Sequence, residues 1–357
     1  MAQATSALNS ILRPVDRELP QKIKATRSPK GASMRFSGGD SSSAFKAFRL
    51  GIRLVVLAMS RREPILIVVS ASVLALSWIS SVAQVKAPAA SPVRQIDHIM
   101  IRTDAPAWLY AFFTETLQLP IAWSLARRGS VTSGAVGFGN VNVEVIKFPD
   151  QRSSHVHLVG FGFEPTPLDS ECLIELHRRD ISYGAPRPFI ITERDGSKRT
   201  LFTNVTLRQF SDDDRPANAT MHIFLSEYSP TYVNIEQRRA RLLKELRETG
   251  GGPLSVTRVE EVIVGATDVK LAMNMWERLL APRRATEPGF WRVGDGPAIR
   301  VVQNRENRLQ AIIISVASLS RAKTFLQEKG LLGSVSEEGL TIDPLKLEGL
   351  NIRLVER

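Results

Sequence analysis

The sequence predicts an α+β fold: four βαβββ modules in two paired halves, preceded by a disordered basic leader and one apolar helix. Three observations carry that expectation. From residue 94 onward the order strand, helix, three strands recurs, the positive charge is concentrated near the amino terminus, and an apolar run separates the two regions. An internal repeat is informative because one supersecondary unit cannot bury its hydrophobic face alone and needs a neighbour to cover it.

Charge comes first because it bounds the partners. The 357 residues carry 47 Lys and Arg against 36 Asp and Glu, and residues 1–62 hold 12 of the former and 3 of the latter. Nine of the eleven net positive charges therefore lie in that segment, which leaves the remainder at +2. A body this near to neutrality lacks the basic stripe whose counterion release drives nucleic-acid binding, so nucleic acid is not expected as a partner. With 43% hydrophobic and 23% charged residues, the chain can bury a core. The one cysteine, Cys172, excludes an intramolecular disulfide and any multi-cysteine metal site. Its helical surroundings read as those of a small buried residue.

Residues 1–58 are rich in Ser, Arg and Lys, with Pro14, Pro20 and Pro29 and the run Gly38-Gly39-Asp40-Ser41-Ser42-Ser43. Such a composition cannot bury enough apolar surface to offset the entropy of ordering, and it predicts disorder. Residues 59–83 begin with Met59 and Ser60-Arg61-Arg62-Glu63, continue through the apolar run Ile65 to Val82, and end on the small-x-small triplet Ser81-Val82-Ala83. That is the layout of a secretory signal peptide, with Met59 as the functional start. A run of about 18 residues also permits an uncleaved anchor, touching the membrane through residues 64–82. A transit peptide made of the basic leader is the third alternative. Positive charge on the amino side directs the body across the membrane in the first two cases, so an exported, extracytoplasmic protein is expected. Residues 84–93, with Pro88 and Pro92, read as an extended linker.

The body follows in order. Gln95 to Ile101 alternates as a strand, Asp104 stands as N-cap, and Pro106 enters the first helical turn, where its missing N–H is harmless. Trp108, Leu109, Phe112, Phe113 and Leu117 form one buried helical stripe. Strands follow at Ile121 to Ala126, Ser130 to Phe138 and Val141 to Phe148. The second unit runs from a strand over Val156 to Phe163, through a helix over Thr166 to Arg179 with Pro165 at its mouth, to strands at Phe189 to Thr192, Thr200 to Phe210 and His222 to Tyr228. An Asp195-Gly196 turn joins the first two of those strands. Together these units make half one, residues 94–230. A charged crossover helix, Asn234 to Thr249, lies within the 231–254 segment and stops at Gly250-Gly251-Gly252-Pro253. Half two, residues 255–357, has a strand over Val259 to Val264, a helix capped by Asp268, and a Gly294 to Gln303 hairpin. It then repeats from Gln310 through a Ser320 to Gly330 helix to a strand at Asn351 to Val355.

Three stretches give the first module a family likeness. They are Ile96-Asp97-His98-Ile99-Met100-Ile101-Arg102, the helix end Phe112-Phe113-Thr114-Glu115-Thr116-Leu117-Gln118-Leu119-Pro120, and Gly139-Asn140-Val141-Asn142-Val143-Glu144. They resemble the vicinal-oxygen-chelate, glyoxalase-like superfamily. Phe224 to Tyr228, the crossover helix, and Gly250 to Leu254 ahead of Val259-Glu260-Glu261 are similar to bacterial glyoxalase-like-domain proteins, and the resemblance spans residues 94–355. It implies paired modules forming a cup, with a divalent metal held from the first and last strands of each module.

Carried over residue by residue, the resemblance implies His98 and Glu144 as ligands in module one. Aligning His98 with His157 sets Pro106 on Pro165, which implies His157 and Glu227 as the ligands in module two. Two imidazoles and two carboxylates suit Zn, Ni, Mn or Fe, with Glu144 and Glu227 as proton-moving groups. The bland reading stays open: a lone strand histidine is more often a hydrogen-bonded structural residue. His155 and His222 are the nearest substitutes, since a one-residue slip exchanges the faces of a strand, and His177 reads as solvated. In the second half Glu261 takes the place of His98, Arg300 and Arg353 stand on later strands, and no histidine follows His222. Extradiol dioxygenases of this superfamily hold iron in the C-terminal pair with two His and one Glu, so that activity is disfavoured. Asn204-Val205-Thr206 and Asn218-Ala219-Thr220 match the glycosylation sequon, and Asp212-Asp213-Asp214 reads as a solvated loop. Two functions remain: a metal-dependent lyase or isomerase on a small oxygenated substrate, or a non-catalytic small-molecule binding protein.

Overall fold

The computed structural model describes residues 90–149, 156–193 and 195–357. The leader and the export-type segment lie outside the described residues, and among those described no helix is long and apolar enough to cross a membrane. The first unit consists of β1 (Val93–Arg102), α1 (Pro106–Ala111) running into a π-helical turn at Phe112–Thr116, β2 (Ile121–Arg128), β3 (Val131–Gly137) and β4 (Asn142–Lys147). The second has β5 (His157–Pro165), α2 (Ser170–Arg178), β6 (Arg187–Thr192), β7 (Lys198–Thr206) and β8 (His222–Tyr228). After the crossover helix α3 (Ile235–Glu248) come β9 (Val256–Ala266), α4 (Val269–Leu280), β10 (Phe290–Trp291) and β11 (Ala298–Gln303). The last unit is β12 (Arg308–Val316), α5 (Leu319–Glu328), β13 (Leu332–Ser336), β14 (Gly339–Ile342) and β15 (Ile352–Glu356).

The result is a mixed α+β body with two sheets, ordered β2-β3-β4-β1-β5-β8-β7-β6 and β10-β11-β9-β12-β15-β14-β13. In each, two first strands pair antiparallel at the centre, β1 with β5 and β9 with β12, and each first strand runs parallel to the last strand of its own unit. A local two-fold therefore passes between the central strands. Register shifts recur at matching places: between Ile96 and His98 and between Met100 and Ile101 on β1, then between Val259 and Glu261 and between Ile263 and Val264 on β9. Bulges that repeat in this way are features of the unit rather than local accidents. The third unit departs from the expected order, with two strands after its helix rather than three among the described residues.

Helix starts follow capping chemistry, but not always at the expected residue. Asp169, Asn234, Asp268 and Ser318 each accept a backbone N–H in the first turn of their helices. Asp104 does not cap α1; Thr103 Oγ1 accepts the Ala105 N–H instead, and Pro106 opens the helix. Pro165 is the last residue of β5 rather than the mouth of α2, which begins five residues later. This displacement decides where the second unit's site residues fall.

Alternation sorts each central strand into two faces. Ile96, Ile99 and Ile101 enter the main core while His98, Met100 and Arg102 face away; on β9, Val259, Val262 and Val264 are core and Glu261 and Ile263 face away. One hydrophobic cluster spans both halves. Trp276 of α4 is its wedge, stacked on Phe161 at 6.2 Å, edge-on to Phe163 at 6.3 Å and tilted against Phe210 at 4.5 Å, all in the first half. Asn140 adds a polar tie, donating to the Val259 carbonyl and accepting its N–H, both at 3.0 Å. Trp276→Ala is expected to cost about 3–5 kcal/mol and to lower the denaturation midpoint of both halves together. Two separate unfolding transitions in the parent protein, only one of them moved by the substitution, would refute the shared core.

Candidate functional site

The site begins with the bulge at Asp97. Adjacent residues of a regular strand point to opposite faces, yet Asp97 Oδ2 and His98 Nδ1 lie 2.9 Å apart, because the extra residue between Ile96 and His98 re-aims the pair. Both are buried, 2% and 5% exposed. Asp97 also accepts the Tyr228 hydroxyl at 3.1 Å and the Arg238 guanidinium at 2.8 Å, and its carbonyl accepts the Asn142 amide. Arg238 reaches in from α3 and lies 4.9 Å from the Tyr228 ring centroid and 5.7 Å from that of Trp123.

Electrostatics fix the protons. Burial alone would push the Asp97 carboxyl up, but the hydrogen bond from His98, the charge of Arg238 and the Tyr228 hydroxyl outweigh it and hold its pKa at about 2. An ionised carboxylate only accepts, so Nδ1 of His98 carries the ring proton and Nε2 presents a lone pair in the neutral ring. Nε2 faces Glu144 Oε2 at 3.8 Å. Burial raises the pKa of Glu144, against the opposing pull of His98, Ser133 and Arg128. Burial also raises that of the Tyr228 hydroxyl, with the nearby Asp97 charge acting in the same direction. The His98 ring is held edge-on, 5.4 Å from Phe224 and 6.5 Å from Trp123. Trp123 sits on β2, three strands from β1, so the contact requires the sheet to curl around the histidine.

The structure brings His98 and Glu144 together and keeps His157 and Glu227 apart from them. Pro106 and Ser170 are the first helical residues of their units, so the equivalent of His98 is Gly162, which also pairs with it directly across the two-fold. His157 pairs instead with Arg102, four residues along β1 from His98, about 13 Å at roughly 3.3 Å per residue. On the closing strands Glu144 lies two past Asn142, the partner of His98, and Ser226 lies two past Phe224, the partner of Gly162. The equivalent of Glu144 is therefore Ser226. Glu227 occupies the other face of β8, where its carboxylate accepts the Leu168 N–H ahead of α2 at 2.8 Å. Of the substitutes, His155 lies outside the described residues and His222 is buried beside Phe224, 5.1 Å between rings. His177 is exposed at the end of α2, as expected.

These positions do not fit the implied four-donor metal centre. Among the described residues no group of three or more His, Cys, Asp and Glu is placed to hold a metal ion. The vacancy at Gly162 is not spare room either, since a Cβ there would lie 2.7 Å from His98 Cε1 and 3.0 Å from the Phe224 ring. In the second sheet the same slots hold Glu261, Arg300, Ile313 and Val355, and Arg300 Nε binds Glu261 at 2.6 Å, an ion pair in place of the histidine and carboxylate.

Around the pair, Met100, Ile146, Phe148, Val159 and Phe224 form a small apolar cluster on the concave face. Arg102 lies over Phe148 and donates to the carbonyl of Ala217 in the 211–221 loop. The acidic triplet is consumed by that loop: Asp212 accepts the N–H groups of Thr220 and Met221, Asp213 that of Arg215, and Asp214 pairs with Arg208. Trp123, Tyr228 and Arg238 were not among the residues expected from sequence. Tyr228 follows Glu227 directly, but nothing in the local pattern of Arg238 points to a carboxylate far along the chain.

No protein-family profile matches the chain, and no curated protein sequence matches it. Structural neighbours include ring-cleaving dioxygenases and a protein of no stated activity, at low identity. Homoprotocatechuate 2,3-dioxygenase from Brevibacterium fuscum is 13% identical with a TM-score of 0.46, over 75% of this chain and 82% of that one. The Arthrobacter globiformis enzyme is 11% identical with a TM-score of 0.46, over 75% and 81%. A hypothetical protein from Staphylococcus aureus is 9% identical with a TM-score of 0.47, over 74% and 99%. Likeness at this level assigns no activity.

Acid stability gives a direct check on the concave face. Burial is the main cause that lowers the pKa of His222 from 6.5 to about 4. A histidine depressed in the folded state contributes stability that is present above its unfolded pKa and lost as pH falls through the folded value. Between pH 6.5 and pH 4 that loss is expected to reach about 3 kcal/mol. Urea unfolding at several pH values should show this slope in the parent and a flatter one in His222→Phe; equal slopes would mean that His222 is solvated.

Proposed function

We propose that the first half of the body is a small-molecule-binding domain of the glyoxalase-like, vicinal-oxygen-chelate class, holding its ligand in the curled sheet through His98 and Glu144 without a four-donor metal centre. One observation carries the reading. A histidine whose tautomer is fixed by a buried carboxylate presents Nε2 beside a carboxyl group of raised pKa, between the Trp123 and Phe224 rings. Few convergent polar groups set in an aromatic-lined concavity are the usual composition of a small-molecule site. The paired units with their central two-fold support the class, and the export-type layout of residues 59–83 supports an extracytoplasmic place of action.

A second reading is favoured by the same dyad. An oriented imidazole next to a carboxyl group whose pKa is raised by burial is an acid–base pair, suited to a lyase or isomerase that moves one proton. Its signature is a bell-shaped pH–rate profile whose limbs belong to the coupled pair.

The test uses protein purified without a histidine tag. A fragment panel is screened by ligand-observed NMR, and metal content is measured on the same sample. The expected result is a set of hits whose affinity drops by about tenfold or more in Glu144→Gln, with little change in unfolding midpoint, and in His98→Ala, which stays folded at a lowered midpoint because Asp97 loses a donor. Stoichiometric metal that both substitutions abolish would overturn the metal-free site, and hits indifferent to both would move the site elsewhere.

A further inference from the structure

Arg238 has the surroundings of a bound ligand. Its guanidinium lies over Tyr228 and near the face of Trp123, and donates to an Asp97 carboxylate that is 2% exposed. Two aromatic faces and one buried anion form a receptor for a flat or quaternary cation, since ring quadrupoles and a desolvated carboxylate both favour positive charge. The arginine comes from the crossover helix, outside the strands that build the rest of the site. A small pocket lined by Asn140, Asn142, Arg239 and Leu242 also borders Asp97 and Arg238.

The second half shows the device in another form. Glu260, the counterpart of Asp97 at the matching bulge, is neutralised by Arg258 and Arg357, but no ring is placed over either guanidinium by any contact among the described residues. Charge neutralisation alone therefore does not require the aromatic pair. Trp123 and Tyr228 set two rings on one guanidinium, whereas in the second half Arg300, paired with the buried Glu261, lies over the single Phe290 ring at 4.3 Å.

We propose that Trp123, Tyr228 and Asp97 form an organic-cation site, that Arg238 occupies it in cis, and that a ligand bearing a guanidinium or quaternary ammonium group displaces Arg238 to reach His98 and Glu144. The inference rests on the small-molecule reading of the first half and gives that ligand its charge. A tethered arginine competes at an effective concentration in the millimolar range, so a free cation binds the parent protein weakly unless its remaining contacts compensate.

Methylguanidine and tetramethylammonium are the probes, titrated at constant ionic strength into Arg238→Ala. The readout is the Trp123 indole N–H resonance, assigned by comparison with Trp123→Phe. A saturable shift is expected in Arg238→Ala, about tenfold or more weaker in the parent, and lost when Asp97→Asn is added. Absence of a saturable shift in folded Arg238→Ala, or a shift that survives Asp97→Asn, overturns the proposal. Arg238→Lys keeps the charge that Asp97 needs but cannot lie flat on both rings. Should the alanine variant not fold, this variant is expected to bind methylguanidine more tightly than the parent, and equal binding overturns the proposal. If both variants ignore cations while neutral fragments still depend on His98, the cation site fails and the small-molecule reading stands. If no molecule of any charge engages His98 or Glu144, both fail.

Discussion

The buried charge of Asp97 is the constraint on which the first half depends. An ionised carboxylate removed from water is tolerated only with enough donors around it, and this one draws them from three parts of the chain: its neighbour His98, Tyr228 at the end of β8, and Arg238 of the crossover helix. One requirement therefore fixes three things. It sets the tautomer of the imidazole, ties the closing strand of the second unit to the first strand of the first, and anchors α3 against the sheet. Removing any one donor leaves the carboxylate short of partners in a site with little water to replace it, so the group acts as a unit rather than as separable hydrogen bonds.

The two halves show how one backbone carries different charge arrangements. At the matching bulge of β9, Glu260 meets Arg258 and Arg357, and Glu261 meets Arg300 where the first half has His98 and Glu144. An arginine–carboxylate pair with a short bidentate contact satisfies its own polar atoms and leaves neither group available to a ligand. The histidine–carboxyl pair at 3.8 Å does the reverse. It is close enough to interact and too far apart to be mutually satisfied, so the first sheet retains hydrogen-bonding capacity that the second has closed.

Much of this was legible in the sequence, and the failures have identifiable causes. Periodicity located the strand that carries His98, the crossover helix within a residue of each end, and the buried Leu109, Phe112, Phe113 and Leu117, because each depends on neighbours in sequence; Trp108, expected in the same buried stripe, is 42% exposed because it lies off the core-facing side of its helix. His98 and Glu144 could be paired from the first module alone. The second module went astray because Pro106 and Pro165 were equated by residue type, whereas Pro106 begins a helix and Pro165 ends a strand. That five-residue displacement carried His157 to the far end of β1. Glu227 failed by a single residue, since on β8 the neighbouring Ser226 takes the concave face. The bulge at Asp97 leaves no mark in composition or spacing, being visible only in strand pairing, and Arg238 lies beyond the reach of any local pattern.

Symmetry explains why the first site is one-sided. His98 stands at the two-fold, directly opposite Gly162, and its ring fills the space that a side chain from the second unit would need. A ring at the axis and a glycine facing it are thus one choice, and it removes the second unit's polar contribution. What that unit supplies instead is aromatic: Phe224 against the imidazole, and beyond it Tyr228, Phe202 and Phe189, the last two stacked at 4.9 Å. The concave face consequently carries its polar pair, His98 and Glu144, on β1 and β4, with the apolar Met100 and Ile146 next along those strands, and is aromatic along β8, β7 and β6. A site divided in this way discriminates by orientation, because a ligand with one hydrogen-bonding edge and one flat apolar face satisfies both walls in only one pose. Had both units kept their polar side chains, the two-fold would have offered two equivalent poses and no such preference.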